Sequence, residues 1–227
     1  MKAYNEGNRM LGTWVASQVV RSQKAENEND REEAEEFVQL MTPIVKAFMT
    51  DCGTEVASLG VQVYGGHGYI HEYGMEQYLR DARIAQIYEG TNGVQALDLV
   101  GRKIPMATGR YLRRFFHPVY NYIQEKQGDE MLAEFIGPLQ KAFDRLQQAT
   151  ISLAQRGLSN PDEIGAAASE IAYAKKEGHE RDFYESKIAT ARFFMQKILP
   201  QTSSLFACIM SGSKSLMEIK EEDFGPF

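Results

Sequence analysis

The stretch "TPIVKAFMTDCGTEVASLGVQVYGGHGY" (42–69) decides the fold. Its apolar residues Val45, Phe48, Met49, Cys52, Val56, Leu59 and Val63 recur at steps of three and four, the spacing of one face of an α-helix. Thr42 reads as the N-cap, and Pro43 as the first helical residue, where a missing N–H costs nothing. The helix is expected to run to about Tyr64, with the whole apolar set inside. Gly65 and Gly66 then stop it, because adjacent glycines permit positive φ.

The same period extends outward in both directions. Residues 3–23 carry Tyr4, Met10, Leu11, Trp14, Val15 and Val19 on one helical stripe. The run "KAENENDREEAEE" (24–36) begins as a solvated connector. It ends as the acidic first turn of a helix bearing Phe37, Val38, Leu40 and Met41, where negative charge complements the helix dipole. Downstream, "MEQYLRDARIAQIY" (75–88) predicts a short helix followed by an extended piece. Asn92 is expected to cap the next helix, with Gln95 completing an amide version of the capping box. Val94, Leu97, Val100 and Ile104 form its apolar stripe, and Pro105 marks a boundary. Further helices are predicted over 107–126, 129–157, 160–178 and 180–210, the last bent at Pro200. No period-two alternation persists long enough for a sheet. The fold class is all-α: a helical bundle over 1–104 followed by a second helical domain over 105–227.

Bulk properties narrow the function. The 227 residues are 43% hydrophobic and 25% charged, within the range of globular proteins. A formal net charge of −6 argues against nucleic acid or an anionic membrane surface as the main partner. Cys52 and Cys208 are far apart and lack metal-ligand spacing, which suits a reducing compartment. No apolar run approaches the ~20 residues of a membrane span. A cytoplasmic protein is expected.

One segment carries chemistry. In "AQIYEGTNGVQALDLVGRK" (85–103), Glu89 follows the bulky Ile87 and Tyr88 and precedes Gly90-Thr91-Asn92-Gly93, a sharp turn. A carboxylate in water is a feeble base, with a pKa near ~4.3. Between apolar walls, with a ligand displacing water, its charged form is disfavoured, and enzymes raise Glu to about 6–7 by this route. The plainer reading is a solvated turn residue, which spacing alone favours. "QVYGGHGY" (62–69) divides in the same way, between a glycine edge that passes a phosphate or sugar and an ordinary helix-terminating loop. His67 and His71 stand four apart in a glycine-rich loop, a poor metal site. Arg80, Asp81 and Arg83 are expected in local ion pairs. Tyr111, Phe115, Phe116, Tyr120 and Tyr122 are read as core.

Together, "VQVYGGHGYIHEYGMEQYLRDARIAQIYEGTNGVQALDLVGRK" (61–103) resembles the C-terminal helical domain of the acyl-CoA dehydrogenases, a flavoprotein family. Residues 105–227, including "FYESKIATARFFMQKILPQTSSL" (183–205), resemble the extra helical domain of a long bacterial subgroup that includes enzymes acting on 3-methylmercaptopropionyl-CoA. The resemblance implies that Glu89 is the catalytic base, taking the pro-R α-proton of an acyl-CoA while FAD accepts a hydride from the β-carbon to leave a trans-2-enoyl-CoA. It implies that Tyr88 and Gly90 line the acyl-thioester site. Gln62, Val63, Tyr64, Gly65 and Gly66 match the segment meeting the adenosine end of FAD held by a neighbouring subunit. Thr91, Asn92 and Gly93 match the helix start near the flavin phosphates and ribityl chain.

Two departures qualify the match. Many relatives carry Gln where Gly93 stands, so a side-chain contact to FAD is missing there. The family's N-terminal helical domain, β-domain and first C-terminal helix have no counterpart in this sequence, so a fragment is expected, inactive by itself. The implied partners are acyl-CoA, electron-transfer flavoprotein as electron acceptor, and further copies of the same chain as a homodimer or larger. The competing readings are a non-enzymatic helical assembly module and an acyl-CoA oxidase.

Overall fold

The computed structural model describes residues 1–159 and Met210. Among them every regular element is helical, as the periodicity predicts. Helix α1 (Lys2–Lys24) lies along α2 (Glu28–Tyr64), a 37-residue rod that forms the spine of the molecule. A single turn, α3 (Gly66–Tyr69), and a 3₁₀ turn (His71–Tyr73) reverse the chain into α4 (Met75–Ala85), which packs back across α2. α5 (Asn92–Asp98) runs into a π-turn (Leu99–Lys103), then α6 (Met106–Lys126) and α7 (Ala133–Ser159). The helices expected over 160–178 and 180–210 lie outside the described residues, apart from Met210.

The spine differs from expectation at Pro43. α2 does not restart there; it begins at Glu28, capped by the Asn27 side chain, and passes straight through the proline. Thr42 is no cap: its hydroxyl donates to the Val38 carbonyl inside the helix. Pro43 gives up one backbone bond. Burial outweighs that loss, since Phe37, Leu40, Met41, Pro43 and Cys52 are all buried along the rod. The far end is looser than its apolar spacing implies. Val63 is 70% exposed: α3 folds against Val61 and Tyr64 and leaves the Val63 side uncovered.

A chain of ring contacts joins the helices. Trp14 of α1 packs on Phe37 of α2 (4.7 Å between centroids) and on Phe115 of α6 (6.2 Å). Phe115 meets Phe116, which stands edge-on to Phe143 of α7 at 5.3 Å. Ile123, Ile136 and Phe143 form a buried cluster between α6 and α7, and Phe116 packs against it. Tyr120 and Tyr122, read from sequence as core, are 48% and 45% exposed. Tyr122 leaves the face that carries Phe116, Val119 and Ile123, and Tyr120 sits at its edge.

α6 is tied to α2 by charge. Glu36, almost fully buried, pairs with Arg110 and with Arg114 Nε at 2.7 Å, while Arg114 also reaches Glu33 at 2.9 Å. Just before this clamp, after Pro105, residues Ala107, Thr108 and Gly109 all have positive φ (48°, 55° and 77°). That left-handed turn swings the regular part of α6 onto the acidic face of α2.

Candidate functional site

The Glu89 turn is built from α2 outward. α4 ends at Ala85, and Gln86 to Gly90 form a closed turn, not the extended piece anticipated. The Asn92 N–H donates to the Gln86 carbonyl at 3.2 Å and closes the loop at its base. Glu89 has φ 53° and Gly90 φ 81°, two successive left-handed residues. Glycine accepts this region freely, whereas a glutamate held there carries strain of about 1–2 kcal/mol.

Five side chains enforce that geometry. The Lys46 ammonium, on the middle of α2, donates to the Gly90 carbonyl at 2.7 Å and to Asn92 Oδ1 at 2.9 Å. Asn92 Nδ2 donates to Asp51 Oδ1 at 2.6 Å and to the Ala47 carbonyl at 3.2 Å. Gln86 Nε2 donates to the same Asp51 oxygen at 2.7 Å. The loop is thus fixed at its entry (Gln86), its apex (Gly90) and its exit (Asn92) to a stretch of α2 between Lys46 and Asp51. From the other side, Gln95 Nε2 reaches the Glu89 and Gly90 carbonyls at 3.2 and 3.4 Å.

Two assignments change as a result. Thr91, not Asn92, caps α5: its hydroxyl accepts from the Val94 N–H, and Asn92 is the first helical residue. Gln95 forms no capping box, because its amide is spent on the turn carbonyls. Asn92 is too firmly engaged with α2 to offer its amide to a ligand, while Thr91 and Gly93 are exposed.

The Glu89 side chain is exposed and has no hydrogen bond or ion pair among the described residues. Its expected apolar walls are not closed around it. Ile87 and Tyr88 are 47% and 55% exposed, and Val94 and Leu97, read as an inward stripe, also face outward. Only Val100 of that stripe is buried. Exposed apolar side chains thus flank Glu89 in sequence, and its carboxylate is open to solvent.

The second predicted set lies at the other end of the spine. Gln62, Val63 and Tyr64 occupy the exposed last turn of α2, and Gly65 breaks it with φ 59° and ψ −140°. A Cβ placed on Gly65 or Gly66 would meet nothing within 4 Å. The rise of a helix puts Gln62 roughly 17–24 Å along α2 from the Lys46–Asp51 anchor. One chain therefore does not bring the two sets together. In the loop between, His67 packs edge-on against Tyr73 and His71 Nδ1 meets Glu76 at 2.9 Å. Arg80 pairs with Glu76 and Asp81 accepts from Gln77, so Arg80 and Asp81 do not pair with each other; Arg83 bonds the neutral Gln86. Among the described residues no helix is long and apolar enough to cross a membrane.

Sequence reasoning did not single out Lys46, Asp51 or Gln86. A signal was present: Lys46 and Asp51 are two opposite charges five residues apart in an otherwise apolar helical stretch.

Residues 8–104 match the family described as "Acyl-CoA dehydrogenase, C-terminal domain", and residues 169–220, of which only Met210 is among the described residues, match "Acetyl-CoA dehydrogenase C-terminal like". A 3-methylmercaptopropionyl-CoA dehydrogenase of Ruegeria pomeroyi is 33% identical over 96% of this chain and 40% of its own length. A broad-specificity linear acyl-CoA dehydrogenase of Mycobacterium tuberculosis is 28% identical over 98% of this chain and 41% of its own. An acyl-CoA dehydrogenase of Bacillus subtilis is 48% identical over 54 residues, 24% of this chain and 14% of its own. The chain thus spans about 40% of the length of the long relatives it matches.

Proposed function

The chain belongs to the acyl-CoA dehydrogenase family, and from that premise we propose that it is the base-bearing part of an FAD-dependent enzyme that converts an acyl-CoA thioester to its trans-2-enoyl-CoA. Glu89 takes the α-proton. Tyr88 and Gly90 flank the thioester, with the exposed Tyr88 ring supplying an apolar surface. Bound FAD supplies the acceptor for the hydride leaving the β-carbon. The observation that carries this reading is the strained, unpartnered Glu89 on a loop pinned at three points to α2. A solvated turn residue needs neither the strain nor the scaffold, whereas a base must be held within reach of one particular proton.

The residues fit the cofactor. Gln62 to Gly66 form an exposed edge with no side chain above its glycines, open to a large flat ligand. Thr91 and Gly93 offer an unobstructed helix start; Asn92 serves the loop instead. The separation of the two sets along α2 supports their serving flavins shared between copies of the chain, hence a homodimer or larger assembly. Electron-transfer flavoprotein is the proposed acceptor and the cytoplasm the proposed compartment. Because the chain spans about 40% of its relatives, turnover is assigned to the whole enzyme and not to these residues alone.

The test is proton exchange. The FAD-loaded enzyme is incubated in deuterated water with an acyl-CoA, and loss of the α-hydrogen is followed by NMR. Exchange that falls by about 10²–10⁴-fold in Glu89→Gln supports the assignment. Exchange at the native rate in that variant refutes it.

A further inference from the structure

We propose that Lys46 is a positioning residue for Glu89, acting through the Gly90 carbonyl; this rests on the reading of Glu89 as the base. The ammonium sits part-buried between two acceptors from the loop, at 2.7 and 2.9 Å, and no carboxylate lies within ion-pair distance of it among the described residues. A lysine on a helix facing only the carbonyl and amide oxygens of a distant turn contributes little as an ion pair. Its geometric effect is larger.

The carbonyl it grips belongs to the residue after Glu89. That carbonyl lies in the Gly90–Thr91 peptide, so holding it fixes the backbone of Gly90, the left-handed residue that follows the left-handed Glu89. Gly90, lacking a side chain, has no internal reason to stay there. Gln95 shares one amide between the Glu89 and Gly90 carbonyls, both at longer range, 3.2 and 3.4 Å. Asn92 and Gln86 hold the loop ends, not its apex. Lys46 is therefore the close contact that fixes the apex, and Asn92 Oδ1 in turn fixes the ammonium. Loss of that contact lets the apex relax while the rest of the loop stays bound, which displaces the carboxylate without removing it. A misplacement of about 1 Å costs on the order of a hundredfold in rate.

The experiment compares Lys46→Met, Lys46→Arg and Glu89→Gln in the FAD-loaded enzyme, with NMR of this chain beside the kinetics. Lys46→Met is expected to lower kcat for flavin reduction about a hundredfold with KM within about twofold. Lys46→Arg, which keeps a charged donor, is expected to recover most of that loss. In the chain itself, the Glu89 and Gly90 amide and Cα resonances are expected to shift in Lys46→Met, with melting still cooperative. Native kcat in Lys46→Met, where Glu89→Gln has lost activity, would overturn the positioning role and leave the base intact. Native activity in Glu89→Gln would instead overturn the base. Unchanged Glu89 and Gly90 resonances in a folded Lys46→Met chain would overturn the proposal whatever the kinetics.

Discussion

Lys46 Nζ lies 2.7 Å from the Gly90 carbonyl, across 44 residues of sequence. The contact joins the spine of the fold to the apex of the loop that carries Glu89. Local geometry at the candidate site is therefore set by a helix that itself carries no reacting group.

Asn92 is expected to matter for the scaffold and not for ligand affinity. Its amide makes bonds to Lys46, Ala47 and Asp51 of α2. Asn92→Leu should lower stability by about 1–3 kcal/mol, because it leaves part-buried partners unsatisfied. Amide exchange across 86–92 should accelerate with it. Denaturant melts and hydrogen exchange measure both, and unchanged exchange in the loop would contradict the role.

Strain at Glu89 predicts a trade-off. A left-handed glutamate costs about 1–2 kcal/mol, and glycine would give back part of that through chain entropy. Glu89→Gly should therefore be more stable than the native chain by about 0.5–1 kcal/mol while losing activity. Calorimetry on the chain reads the first, and a lower Tm would contradict it.

The Glu36 clamp should dominate the junction between α2 and α6. Glu36 is 2% exposed and faces Arg110 and Arg114. Glu36→Gln removes the carboxylate that Arg110 and Arg114 share, while Glu32 and Glu33 still meet these part-exposed guanidinium groups, so the cost is about 1.5–3 kcal/mol. Combining Glu36→Leu with Arg110→Met and Arg114→Met should recover part of it, because only the Glu36 end is buried and can exchange its charge for apolar packing. Urea unfolding of the variants decides the matter.

Acid should loosen the turn after α3. The Glu76 carboxyl is held below its ordinary value of 4.5, chiefly by its hydrogen bond with His71 and further by the Arg80 charge. A lowered folded-state value means the stabilisation is complete above pH 4.5 and is lost as pH falls through the lowered value. NMR titration should show the Glu76 carboxyl protonating below 4.5, and Glu76→Gln should remove that acid-dependent step from the 71–76 amides. A Glu76 midpoint at or above 4.5 would contradict the geometry.

The helical class was legible because long apolar stripes at three- and four-residue steps admit no sheet. The family was legible in Tyr88-Glu89-Gly90-Thr91 and the motifs around it. What escaped was decided by contacts remote in sequence. Thr42-Pro43 looks like a helix start, yet burial along the spine carries α2 through it. Asn92 looks like a cap, but α2 offers it better partners and Thr91 takes the cap. Val63, Val94 and Leu97 fit an inward stripe, but nothing described packs over them. Lys46 and Asp51 gain meaning only once the loop folds back onto them.

The central claim is that Glu89 is the base, and anaerobic reduction of the bound flavin by acyl-CoA tests it most directly. In the FAD-loaded enzyme, native protein should lose its oxidised flavin absorbance on mixing with substrate. Glu89→Gln should retain FAD and acyl-CoA binding yet reduce the flavin at least about 10²-fold more slowly. Reduction by Glu89→Gln at the native rate would contradict the account.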